Sequence, residues 1–126
     1  MSIFRYRGKD RRVFKKWKGY IGYVDDHHII PKHLRNHQVI RDTNLNINSN
    51  WNLFIMPNRR APEVFRLHPR TLIHGPHVPY NKYIKRSLDG INRRATDTEE
   101  KEYLLWLFIS FLRKNLKKNC DKIPFR

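Results

Sequence analysis

A chain of 126 residues suits one domain with one modest core. Lys and Arg total 27 against 11 Asp and Glu, a net charge of +16. Folding does not need that excess, which points to a polyanionic partner, either nucleic acid or an acidic membrane. The single cysteine, Cys120, excludes an internal disulfide and any cysteine-rich zinc module. The longest apolar run, Tyr103 to Ile109, is far short of the ~20 residues that span a bilayer. The N-terminus lacks the apolar core of a secretion signal. An intracellular, non-membrane-spanning protein is expected.

The first 18 residues carry eight basic side chains interleaved with Phe4, Tyr6, Phe14 and Trp17. Such an arm suits phosphate contacts and ring stacking, or a solvated segment whose rings dock on the core. Gly19 to Val24 reads as a short strand, and His27 to Ile30 as a second strand-like piece closed by Pro31. His33 to His37 predicts a helical turn or two. Residues 42–52 are Asn-rich and read as a loop, because Asn competes for backbone hydrogen bonds. Trp51 to Met56 predicts a strand closed by Pro57, and Glu63 to His68 a short helix.

Pro79 fits the first turn of a helix whose apolar face is Tyr80, Tyr83, Ile84, Leu88 and Ile91. The last element, about residues 97–117, is the clearest helix. Thr96 and Glu99 form a capping box, with acids in the first turns and Lys or Arg in the last. Its middle is apolar nearly all round, which predicts burial on more than one side: a central core helix, or a homodimer interface.

Seven histidines are present, and their placement matters more than their number. His27 and His28 are adjacent, directly after Asp25 and Asp26. His74 and His77 stand in HGPH, with Asn81 four residues on, so that His77 and Asn81 share one helix face. One imidazole of the adjacent pair can bind a metal when neutral, while the other acts as a general base near neutral pH. A metal plus a base that activates water is a sufficient kit for phosphodiester hydrolysis. His33, His37 and His68 are read as structural or exposed.

The order HHIIP, NWNLFIMP, HGPHVPYN resembles an HNH nuclease of the ββα-metal superfamily, in particular the AHH branch of toxin, phage and viral nucleases. The likeness covers about residues 22–90. It implies an α+β fold: a small ββα-metal core, a two-stranded ribbon plus helix, with additional helices including the apolar C-terminal one. It further implies a single nuclease domain over residues 1–126, with the basic arm at 1–18, the core at about 19–92 and the last helix at about 97–117.

Carried over residue by residue, the resemblance makes His28 the general base and Asn52 the ribbon-holding asparagine. It makes His27 and His77 metal ligands, with Asn81 in a further ligand position. His74 would bind metal or substrate phosphate, and Arg35, Arg41 or Arg70 would clamp the phosphate. Asp26 stands where the branch has alanine; it would orient His27 or add a ligand.

The expected cofactor is one divalent metal ion, Mg²⁺ first, with Zn²⁺, Mn²⁺ or Ni²⁺ as alternatives. The expected substrate is DNA, with RNA left open, and the resemblance implies products that carry 5′-phosphates. A viral or phage source fits, and a toxin role would imply an immunity protein. The competing reading is a catalytically inactive, basic nucleic-acid-binding or packaging protein on the same fold.

Overall fold

The computed structural model describes residues 15–67, 72, 74–118 and 123–125. Most of the N-terminal arm, His68, Arg70 and Cys120 therefore lie outside the described residues. The architecture is a two-stranded antiparallel sheet packed with helices. Strand β1 (Val24–His28) pairs with β2 (Leu53–Pro57), and α1 (Gln38–Thr43), α2 (Val78–Arg94) and α3 (Thr98–Lys118) surround one core. This is the α+β, ββα-type layout expected, with added helices. Among the described residues, no helix is long and apolar enough to cross a membrane.

The ribbon is shorter and differently placed than its sequence pattern predicts. Gly19 (φ +70°) and Gly22 (φ +85°) both take left-handed backbone, so residues 19–23 turn rather than extend. The strand begins at Val24, runs through both aspartates and ends at His28. In register, His27 faces Phe54 and His28 faces Leu53. Ile29 and Ile30 leave the strand and enter the core, both fully buried.

Trp51 and Asn52 belong to a 3-10 turn, Asn50–Asn52, that delivers the chain into β2. The helix expected from Glu63 is absent from the described residues. A 3-10 turn at Ala61–Glu63 ends there, and the Phe65 ring instead packs edge-on against Tyr20 and Tyr23.

Helix α1 falls partly inside the stretch read as an Asn-rich loop. His37 caps it, its Nδ1 accepting from the Val39 N–H at 3.1 Å. Asn44 ends it in the left-handed conformation (φ +57°) that Asn tolerates. An acceptor at Nδ1 places the His37 proton on Nε2, which donates to Asp89 at 2.7 Å and so ties α1 to α2.

Helix α2 opens with Pro79 in its first turn and buries Tyr80, Ile84 and Leu88 on one face. Helix α3 is capped by Asp97, whose Oδ1 accepts from the Glu100 N–H at 2.8 Å, while Thr96 donates to the Glu100 carboxylate. The capping box expected between Thr96 and Glu99 is thus shifted by one residue. Leu105, Ile109, Leu112 and Leu116 of α3 are buried, while Tyr103, Leu107 and Phe111 form an exposed stripe.

Two carboxylates lock the helices together. A hydrogen bond from Lys101 of α3, then one from Gln38, holds Asp42 below its ordinary pKa of 3.8. His37, then Lys85, does the same for Asp89. Both pKa values are depressed in the folded state, so this stability is present above 3.8 and is lost as pH falls through the folded values. Asp42→Asn/Asp89→Asn protein should show a flatter melting temperature between pH 2 and 5 than wild type. An unchanged acid limb would show that these contacts do not couple to folding. Both side chains meet water, so the effect is modest.

Candidate metal centre and catalytic cavity

Alternation along β1 separates the side chains of neighbouring residues. Asp25 and His27 share one face, and Asp26 and His28 the other. His27 is fully buried, and neither ring nitrogen has a hydrogen-bond partner among the described residues. An orphaned buried imidazole is costly unless something binds it. Burial first, then His77, His74 and His28, push its pKa down to about 3. It is therefore neutral at ordinary pH, the state a metal ligand requires.

His74 and His77 converge on the same point. One ring nitrogen from each of His27, His74 and His77 lies within 4.8 Å of the others. Ring centroids are 5.5 Å from His27 to His74 and 5.0 Å from His27 to His77. The His74 backbone N–H donates to the Pro57 carbonyl at 2.7 Å, which fastens the loop to the end of β2. His77 sits at the N-cap of α2.

Each of these two rings is oriented through Nδ1. His74 Nδ1 is 2.9 Å from Asp25 Oδ2, and His77 Nδ1 is 2.9 Å from Asn81 Oδ1. Oxygen acceptors make Nδ1 the protonated nitrogen and leave the lone pair on Nε2. Carboxylate or amide support of a ligating imidazole is the usual arrangement around protein-bound metals. Asn81 thus buttresses His77 from the position where the sequence pattern placed a ligand. His74, which the pattern left between metal and phosphate, joins the metal-competent cluster. Asp25 contacts His74, whereas Asp26, which the sequence reading offered as a support or ligand beside His27, pairs with Lys15.

Aromatic packing walls the cluster from one side. Tyr80 lies 5.1 Å from His27 between ring centroids, and Phe125 lies 5.7 Å away. The Tyr80 hydroxyl donates to the Ile29 carbonyl at 2.5 Å, and burial raises its pKa well above 10.

On the other side is a cavity of about 350 Å³, lined by Asp26, His27, His28, Pro31, Lys32, His33, His74, His77 and Asn81. His28 is half-buried in this wall, with Nε2 2.9 Å from Asn48 Oδ1. Asp26 also reaches the cavity and pairs with Lys15 at 2.9 Å. Lys32 and His33 are exposed on the wall. Arg35 and Arg41 are exposed and do not line it, and Arg70 lies outside the described residues. Lys32 and His33 could have been found from their place directly after the HHIIP turn.

Behind the cavity, Asn52 is fully buried, and its side chain bonds to three backbone groups. Its Oδ1 accepts from the Ile30 N–H at 2.8 Å. Its Nδ2 donates to the carbonyls of Ile30 and Ile47, at 3.0 and 2.8 Å. The Ile29 N–H donates to the Asn52 carbonyl at 2.8 Å. Asn52 thus fixes the exit of the chain from His28.

Arg113 of α3 grips the same turn from outside, its Nη2 donating to the Trp51 and Leu53 carbonyls at 2.6 and 2.9 Å. Burial lowers its pKa from 12.5. The sequence marks Arg113 only as a basic residue at a helix C-terminus; its partners Trp51 and Leu53, 62 and 60 positions away in the chain, carry no local signal.

The three imidazoles fit a divalent ion on two grounds: the buried His27, without a hydrogen-bond partner among the described residues, and the outside support of His74 and His77. A family model matches residues 9–106, that of AHH, described as a nuclease family of the HNH/ENDO VII superfamily with conserved AHH. No curated protein and no solved structure matches the chain. The matched span contains the adjacent pair His27-His28, preceded by aspartate rather than alanine. With most of its length matched and a histidine cluster built where two short strands meet a helix, the chain belongs to the AHH family of the HNH/ENDO VII superfamily and is an HNH-type endonuclease.

Proposed function

We propose that this protein hydrolyses DNA phosphodiester bonds with one divalent ion held by His27, His74 and His77 and with His28 as general base. The observation that carries the reading is His27: fully buried, neutral and without a hydrogen-bond partner among the described residues, it faces two externally oriented imidazoles. When bound, the ion supplies Lewis-acid stabilisation of the charge that builds on the phosphate and the departing 3′ oxygen.

The chain's own residues do the rest. His28, one residue from His27 but on the other face of β1, takes a proton from the attacking water. Asp25 and Asn81 keep His74 and His77 in their ligating orientation. Lys32 and His33 contact the phosphate at the cavity wall, a role that their position supports better than that of Arg35 or Arg41. Asp26, paired with Lys15, holds that lysine beside the cavity. The remaining positive charge follows the DNA backbone. A set of three imidazole nitrogens suits Zn²⁺ or Ni²⁺ better than Mg²⁺ or Mn²⁺, which prefer oxygen. The donor chemistry therefore moves the expected ion away from Mg²⁺.

The test is a plasmid-nicking assay across Mg²⁺, Mn²⁺, Zn²⁺ and Ni²⁺, with His27→Ala as control. Nicking that EDTA abolishes, that a transition ion restores best and that His27→Ala lacks is the expected result. Full activity in excess EDTA would sink the metal mechanism. Absence of nicking with every ion would favour an inactive DNA-binding protein. A homodimer across the Tyr103, Leu107 and Phe111 stripe is a separate proposal, which sedimentation equilibrium checks.

A further inference from the structure

We infer that Asn48 is the positioning residue of the base: it fixes the His28 tautomer so that Nδ1 is the nitrogen that receives the water proton. The inference rests on the reading of His28 as general base. Asn48 belongs to the Asn-rich loop, which the sequence marks only as a turn, and is 20 residues from His28 in the chain. The two side chains meet at 2.9 Å, Nε2 to Oδ1.

An amide oxygen can only accept, so Nε2 must carry the hydrogen and the lone pair must lie on Nδ1. In the step that follows, the water O–H bond breaks and its proton passes to Nδ1. The water oxygen forms its bond to phosphorus, and the bond from phosphorus to the 3′ oxygen breaks, its electron pair staying on the 3′ oxygen, which takes a proton from solvent water. His28 becomes an imidazolium, and its Nε2–H bond to the Asn48 oxygen becomes charge-assisted. Asn48 therefore helps most in the transition state, where the positive charge on His28 develops.

The loop is built to hold this oxygen in place. The Asn48 backbone N–H is held by Asn46 Oδ1 at 3.0 Å, and the Ser49 N–H by the Asn46 carbonyl at 2.9 Å. Ile47, next to Asn48, is buried in the core, and its carbonyl accepts from the Asn52 side chain. The same asparagine thus fixes both the exit from His28 and the loop that carries the partner of His28.

The experiment compares wild type, Asn48→Ala, Asn48→Asp and His28→Ala as intact, metal-loaded proteins. It measures kcat and KM on a DNA duplex, and reads the His28 tautomer by long-range ¹H–¹⁵N NMR. Asn48→Ala should lower kcat about 10- to 100-fold with KM unchanged. Asn48→Asp, which keeps an acceptor, should stay within about threefold of wild type. The wild-type His28 signal should be that of the Nε2–H tautomer, and Asn48→Ala should show a mixture. Wild-type kcat in folded Asn48→Ala, or an Nδ1–H tautomer in wild type, overturns the inference alone if His28→Ala is inactive. His28→Ala cutting at the wild-type rate overturns the base assignment and the inference together.

Discussion

Alanine at position 28 is expected to slow DNA cleavage by about 10²- to 10⁴-fold while the protein stays folded and still binds DNA. The range is what a positioned general base contributes. The stability cost is small because His28 is half-buried at the end of β1 and makes its side-chain bond to an exposed residue, Asn48. Its neighbour behaves differently: His27 is fully buried among His74, His77, Tyr80 and Phe125, so truncating it removes the proposed ligand and also opens a cavity. The pair can therefore be separated by experiment. His28→Ala should keep its metal affinity and its melting temperature; His27→Ala should lose metal affinity. Single-turnover cleavage at saturating DNA, with metal binding followed by calorimetry, reads both. Cleavage by His28→Ala at the wild-type rate would end the assignment of the base.

The parts of this site that a linear reading reaches are those written in consecutive residues. The HHIIP turn, the strand before Pro57 and the HGPHVPYN helix start each carry local chemistry: proline at element ends, β-branched runs, and a helix face at i, i+4. The parts it misses are pairings between distant residues. Asp25 meets His74 across 49 positions, and Arg113 meets the Trp51 carbonyl across 62. Asp25 and Asp26 look interchangeable in sequence. Only the strand register, which places Asp25 on the His27 face, decides which of them meets His74. The Asn-rich loop misleads for a related reason. Its polar composition reads as solvent-facing turn, yet Ile47 anchors it in the core and Asn48 and Asn52 each make a specific contact. The glycines mislead in the opposite sense: Gly19 and Gly22 sit among strand-forming residues, and their positive φ turns the chain.

Replacing Asn52 by alanine should destabilise the fold by about 3–5 kcal/mol. The side chain satisfies three backbone groups, the Ile30 N–H and the carbonyls of Ile30 and Ile47, and is itself fully buried. Alanine leaves all three without that partner, in a place too enclosed for bulk water to replace it. Each orphaned group costs roughly 1–3 kcal/mol, and partial relaxation keeps the total below the sum. Asn52→Asp is no rescue. It keeps the acceptor for the Ile30 N–H but turns a carboxylate oxygen toward two carbonyls, so it should be at least as destabilising as alanine. The grip of Arg113 on the Trp51 and Leu53 carbonyls is separate from the Asn52 side chain, so β2 should still pair. What loosens is the exit of the chain at Ile29 and Ile30 and the loop bearing Asn48. Cleavage should therefore fall even at temperatures where Asn52→Ala is fully folded, with His28 present but no longer held against its partner. Urea denaturation gives the stability change, and kcat measured well below the midpoint gives the positional one. A loss under about 1 kcal/mol would mean that the ribbon holds the His28 turn without its asparagine.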